Sequence, residues 1–358
     1  MPLPMPSSSI MKILLQGVVL PACPLALDAR RRLDELHQRA LIRYYAASGA
    51  GGVAVGVHTT QFEIREPGID LFKPVLELAL TTLNEESRKC GCPIVKIAGV
   101  CGKTRQALAE AQFAASLGYD IALVSLGAFR DASEDELLEH CTRISAIIPL
   151  MGFYLQPAVG GRILPYSFWR RFVEIENVVA IKIAPFNRYQ TLDVVRAVAQ
   201  AGVEGRVALY TGNDDNIILD LLTPYTIRAA DGSKTLHICG GLLGQWSIWT
   251  SRAVDLLNYI HQVVTEGPCD ARELLEKSVA LTDANSVIFD VAHNFAGCIS
   301  GINEVLRRQG LMEYSHCLDP KATLAPGQSE ELDRIYRDYP WLTDDDFVKQ
   351  HLEAWLQE

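Results

Sequence analysis

The chain has 358 residues, of which 49% are hydrophobic and 21% charged, and its formal net charge is −10. That is enough apolar material for about two domains, or for one large α/β barrel with an appendage, and it excludes disordered, collagen-like and mini-protein readings. The acidic balance argues against nucleic-acid or anionic-membrane partners, which need a basic patch, yet it permits a locally positive pocket for a small anionic substrate.

In chain order, the Pro/Ser-rich residues 1–11 read as a disordered N-terminal tail. The apolar run 13–20 reads as the first core strand rather than a signal peptide, because no basic start precedes it and Gln16, Gly17 and Pro21 interrupt it. No run reaches the roughly 18 uninterrupted apolar residues of a membrane span, so a cytoplasmic location is expected. Further runs rich in Val, Ile, Ala and Leu recur at 51–57, 93–99, 120–126, 150–155, 178–184, 206–211 and 236–240. They are short and nearly continuously apolar, as parallel strands buried on both faces are. Between them lie helical patterns: Thr104–Leu117, stopped by Gly118; 135–147, with Ser133 as cap and Pro149 beyond; and 190–201, ended by Gly202. Residues 251–265 supply an eighth helix.

Eight strands alternating with helices predict a (β/α)8 TIM barrel over residues 12–266. An all-helical C-terminal region follows over 267–358, with Trp341 and Trp355 as packing anchors and a loop over 315–328. The doubly wound alternative would need a glycine-rich turn after the first strand, and Leu20 to Pro24 is not one. Cys90, Cys92 and Cys101 lie close together among nine cysteines, but no second pair or histidine cluster completes a zinc site. Free thiols in a reducing compartment, and no metal, are therefore expected.

Lys182 is the only charge inside its apolar strand, near that strand's C-terminal end, where a barrel carries its active site. Burial there lowers an amine's pKa and frees it to attack a carbonyl, although a lysine snorkelling out of the barrel or pairing with a carboxylate fits the same pattern. Tyr154 lies near the end of the preceding strand, where a phenol can shuttle protons for an imine-forming lysine. His58, Thr59 and Thr60 close the second strand with hydroxyls and amides suited to a carboxylate, or to ordinary turn chemistry.

Taken together, these residues resemble the dihydrodipicolinate synthase and N-acetylneuraminate lyase family, class I enzymes that bind pyruvate or another 2-oxo acid as an imine. The resemblance covers roughly residues 12–310. It rests on Gly17 to Ala22, on Gly99-Val100, on Tyr154 followed by Pro157 and Gly161, on Val179-Ala180-Ile181-Lys182, and on Thr211 to Asp215. It implies that Lys182 is the imine lysine, that Tyr154, helped by Thr59, is the proton relay, and that Thr59 and Thr60 hold the carboxylate. His58, Gly212 and Trp246 then belong to the substrate-binding set. No metal or organic cofactor is implied, and the assembly is a homo-oligomer, a dimer or tetramer.

The departures from the family pattern are specific. The family reads Gly-Thr-Thr-Gly-Glu at the second strand, whereas here His58 replaces the first glycine and Glu63 is displaced by one residue. Val159 stands where dihydrodipicolinate synthases place an arginine for the second substrate, with Arg162 three residues further on. Residues 125–129 offer no tyrosine to reach a neighbouring subunit, and Trp246 takes the place of a small aliphatic. The expected activity is therefore a Schiff-base lyase or aldolase acting on pyruvate or a related 2-oxo acid, with a second substrate other than aspartate semialdehyde. The rival is a non-catalytic 2-oxo-acid-binding barrel that has lost its relay.

Overall fold

Runs of β-branched and small apolar residues, bounded by turn-forming glycine, proline and aspartate, set the strands. The computed structural model describes residues 3–230, 232–266 and 272–357. Its strands are β1 (Val19–Pro21), β2 (Gly52–Val55), β3 (Val95–Val100), β4 (Ile121–Val124), β5 (Leu150–Leu155), β6 (Val178–Ala184), β7 (Ala208–Thr211), β8 (Tyr225–Ala229), β9 (Gly232–Leu236) and β10 (Gly240–Leu243). Eight of these form one sheet in the order β1-β10-β7-β6-β5-β4-β3-β2, and a parallel bridge from Ala22 to Ala54 links its two ends. Helices follow the barrel strands in turn: α2 (Glu35–Ala47), α3 (Phe72–Cys90), α4 (Thr104–Leu117), α5 (Glu134–Ser145), α6 (Tyr166–Phe172), α7 (Arg188–Ala201), α8 (Ile217–Leu222) and α9 (Thr250–Glu266), with α1 (Ser8–Gln16) preceding them all. The extension carries α10 (Arg272–Ile288), α11 (Cys298–Arg308), α12 (Gln328–Asp338) and α13 (Asp345–Trp355). The fold is a (β/α)8 barrel with a C-terminal helical extension.

Packing divides the chain into two units, residues 1–18 with 95–242 and residues 19–94 with 243–358. The expected boundary after residue 266 abuts residues 267–271, which lie outside those described.

In the first unit, two sequence expectations are corrected. Residues 8–11, read as tail, and 13–16, read as strand, belong to α1 instead. Ser7 caps that helix by accepting the Ile10 N–H, and Ile10 and Leu14 fall on one buried face. The Leu14 carbonyl at its end accepts the Tyr210 hydroxyl at 2.9 Å. Gly17 then turns the chain at φ +85°, and a Cβ there would stand 1.9 Å from the Cys239 carbonyl oxygen. The last barrel strand is Gly240–Leu243, not 236–240. Residues up to Leu236 are drawn off into an antiparallel hairpin with Tyr225–Ala229. The Ser133 cap behaves as read, forming a capping box with Glu136 on α5, and Asn187 caps α7.

In the second unit, Asp344 does more than start α13. Its buried carboxylate accepts the Tyr44 hydroxyl at 2.8 Å, Gln309 Nε2 at 2.8 Å and the Ser251 N–H at 3.1 Å, joining α2, α9, α11 and α13. Trp355 is buried with its ring 5.6 Å from Tyr44, the anchor expected of it, while Trp341 is half-buried and lies under the Lys277 ammonium at 5.6 Å. The loop around residue 318 is held by Gln61, whose Oε1 accepts the Leu318 N–H at 2.6 Å, and by Arg31, which donates to the Cys317 carbonyl. The cysteine expectation is also corrected, because Cys90 and Cys92 are bonded to each other at the end of α3.

Gly17 leaves no room for a side chain, since its neighbour is backbone and cannot move aside. Gly17→Ala is expected to lower unfolding stability by about 2–4 kcal/mol, whereas Gly118→Ala, with positive φ and open space, loses about 1 kcal/mol. Urea unfolding of the two variants checks the difference.

Candidate active site

All seven residues of β6 are buried, and Lys182 is 8% exposed among them. Lys182 stands in register with Phe153 on β5 and with Tyr210 on β7, and laterally paired residues in a sheet share a face. Its Nζ lies 4.5 Å from the centre of the Phe153 ring. Gly212, at the end of β7, is where the lysine stem passes, and a Cβ there would stand 2.7 Å from Lys182 Cε and 2.8 Å from Ala184 Cβ. Only glycine admits the stem at that point. Burial drives the Lys182 amine down to about 8, with the nearby Asp214 carboxylate pulling the other way.

The turn that carries Gly212 and Asp214 is fixed by a buried carboxylate. Asp220, fully buried on α8, accepts Thr211 Oγ1 at 2.7 Å, Asn213 Nδ2 at 2.8 Å and Asn216 Nδ2 at 2.9 Å, and it pairs with Arg188. Asn213 Oδ1 in turn accepts the Phe186 N–H at 2.9 Å, just beyond β6, where Phe186 is held at φ +53°. The ends of β6 and β7 are thereby stitched together around the lysine. The sequence reading singled out Gly212 but neither Phe153, Asp214 nor Asp220. Burial of Asp220 has no local signature in the chain.

Tyr154 lies on the other face of β5 from Phe153. It is in register with Ile183, one residue past Lys182, so it projects from the opposite face of the sheet. There its ring lies 5.3 Å from Trp169 and its hydroxyl accepts the Leu164 N–H at 3.2 Å. Gly152 faces the same way, and a Cβ on it would meet Phe172 and Trp169. A register slip between Leu150 and Met151 sets this phase, and it puts Phe153 rather than a phenol beside the amine. Arg162 donates to the Phe129 and Ala132 carbonyls.

In the second unit, His58–Thr60 form a single 3-10 turn after β2. Thr59 Oγ1 donates to the Ala22 carbonyl at 2.6 Å, and Thr60 Oγ1 donates to the Cys23 carbonyl at 2.7 Å while accepting the Gly56 and Val57 N–H groups. Neither hydroxyl proton is left for a carboxylate. The Thr59 N–H has no acceptor among the described residues and is the open donor of this turn. His58 is half-buried with its ring 5.9 Å from Phe62. Trp246 is buried in the turn after β10, and its indole Nε1 has no acceptor among the described residues.

No protein-family model matches the chain. Among curated proteins it is similar to the 4-hydroxy-tetrahydrodipicolinate synthase of a Cyanothece species, 31% identical over 162 residues, which are 44% of this chain and 52% of that protein. It is 26% identical over 240 residues to the Synechocystis protein of the same name, covering 66% of this chain and 69% of that one. The match thus spans about half the length of the first relative and two thirds of the second. Among solved structures, a prophage protein of the dihydrodipicolinic acid synthase family from Escherichia coli, in complex with pyruvate, superposes with a TM-score of 0.72 at 18% identity over 90% of this chain and 97% of its own. N-acetylneuraminate lyase from Fusobacterium nucleatum gives 0.70 at 16% identity over 91% and 99%. These similarities agree with the resemblance to the dihydrodipicolinate synthase and N-acetylneuraminate lyase family that the sequence motifs indicate.

Two stability measurements test the geometry. Asp220→Ala removes an acceptor shared by four donors and is expected to cost about 3–5 kcal/mol, against less than about 1 kcal/mol for Asp215→Ala, which breaks a half-exposed contact with Arg188 at 3.6 Å. Lys182→Met is expected to stabilise the protein at pH 7 by up to about 3 kcal/mol. The sign follows from linkage: below pH 8 both states are protonated and the folded state bears the full burial penalty, which is relieved as pH rises from about 8 to 10.5. The advantage of the methionine variant over wild type in urea should fade across that interval.

Proposed function

We propose that this divergent relative of the family is a Schiff-base-forming lyase or aldolase that takes pyruvate or a related 2-oxo acid on Lys182. The observation that carries the reading is the buried Lys182 amine, lowered to about 8 and held on β6 by Phe153, Ala184 and Gly212. At pH 7 roughly one such amine in ten is neutral, against on the order of one in several thousand for an ordinary lysine. The neutral amine attacks the ketone, loss of water gives the imine, and the protonated imine draws electrons from the adjacent carbon so that a bond there can form or break. Curated relatives named 4-hydroxy-tetrahydrodipicolinate synthase and the pyruvate complex of a structural neighbour support the substrate class.

The carboxylate-binding role of the 58–60 turn is carried by the resemblance, and in this chain it falls to the Thr59 amide rather than to the two hydroxyls. His58, Gly212 and Trp246 are proposed as substrate-binding residues on the same ground, with Gly212 also clearing the lysine stem. A homo-oligomer, no metal, no organic cofactor and a cytoplasmic location belong to the same proposal. A second reading, a 2-oxo-acid-binding barrel without turnover, is favoured by one observation: the ring beside Lys182 is that of Phe153, and the Tyr154 phenol lies on the other face of the sheet.

Incubation with pyruvate and borohydride, followed by peptide mass spectrometry, is expected to place a reduced adduct on Lys182 and none in Lys182→Ala. The trapping rate should rise with pH to a plateau about a midpoint near 8. Tyr154→Phe should keep trapping within about threefold of wild type, because its hydroxyl is bound to Leu164 and not to the amine. Absence of an adduct with pyruvate and with larger 2-oxo acids would overturn the imine reading. An adduct without condensation or cleavage across an aldehyde panel would select the binding-protein reading.

A further inference from the structure

Six described cysteines lie outside any disulfide, with Cys23, Cys141, Cys298 and Cys317 buried and Cys101 and Cys239 half-buried. Burial pushes the Cys23, Cys141 and Cys239 thiols up to about 12, so at neutral pH they are nearly devoid of the reactive thiolate. The sulfur chemistry of Cys90 and Cys92 is different. Both are exposed, and they are bonded to each other across Gly91, which takes φ +66°.

This bond does little for the fold. It closes a loop of three residues, and the denatured-state entropy a cross-link removes grows with loop length. It ties no two elements together, because both residues stand at the C-terminal end of α3. The turn also has supports of its own: Ser87 Oγ donates to the Cys92 carbonyl at 2.6 Å, and the Cys92 N–H donates to Cys90 Sγ at 3.3 Å. These contacts keep the two sulfurs adjacent when the bond is open, so it can open and close with little rearrangement. Exposed disulfides of this kind are the labile ones.

We propose that Cys90-Gly91-Cys92 is a thiol–disulfide exchange site whose substrate is an accessible dithiol, or two monothiol equivalents, of a small molecule or a protein. The incoming thiolate attacks one of the two sulfurs, forming a mixed disulfide and releasing the other cysteine as a thiolate that takes a proton. The substrate's second thiol then attacks its own sulfur in the mixed disulfide, leaving as an oxidised disulfide and releasing the second cysteine. Two electrons pass from the dithiol to the pair, and the cycle runs backwards with an oxidised disulfide. The site stands apart from the chemistry proposed for Lys182.

The test equilibrates the full chain with mixtures of reduced and oxidised glutathione, quenches with acid, labels free thiols and maps peptides by mass spectrometry. The Cys90–Cys92 peptide should shift from unlabelled to doubly labelled across the series, while Cys23 and Cys141 react only after unfolding. Cys92→Ser should accumulate a glutathione mixed disulfide on Cys90, and reduction of the wild type should leave its urea midpoint unchanged. The proposal is overturned if the pair stays unlabelled in native protein under excess dithiothreitol. It is equally overturned if both thiols are labelled under fully oxidised glutathione, or if reduction lowers the urea midpoint.

Discussion

An amine buried in a strand with no exposed face is the constraint around which the first unit is arranged. Taking an ammonium out of water is costly, and the penalty is reduced when the group sheds its proton. At Lys182 the surroundings hold the amine near that point: the Phe153 ring covers it, Asp214 offers a compensating charge, and the bare backbone of Gly212 gives the stem passage. None of this would hold if the β7 turn were loose. Asp220 makes it rigid by gathering Thr211, Asn213, Asn216 and Arg188 on one carboxylate, an arrangement that is stable only because all its donors are satisfied.

The two faces of β5 divide the labour. Gly152 and Tyr154 turn toward α6, where Trp169 and Phe172 fill the space a glycine leaves. Phe153 turns toward Lys182. Because side chains alternate with a period of two, a slip of one residue exchanges the roles of neighbours completely. A phenol and a phenyl ring are nearly the same shape, but only the phenol moves protons.

The second unit is held by polar nodes that sequence patterning presents as surface. Asp344 bears the marks of a solvated helix start, yet it is buried beneath Tyr44 and Gln309. Gln61, at φ +69°, binds the backbone at Leu318, so the loop of the helical extension is fastened to the turn that follows β2. Threonines 59 and 60 are likewise buried, with their hydroxyls turned inward onto the carbonyls just past β1.

Much of this protein was legible in the chain alone. The repeated apolar runs and capped helices specified the barrel, because strand burial and helix capping are local consequences of residue type. The lone charge of β6 singled out Lys182, and the motifs around it carry the family resemblance. Tertiary structure decided the rest. That 13–16 is helix and that β10 begins at Gly240 depended on which backbone lay alongside. Which face of β5 carries Phe153, and which carboxylate is buried at Asp220, turned on the register between strands, a distance-dependent pairing that no spacing along a single chain encodes.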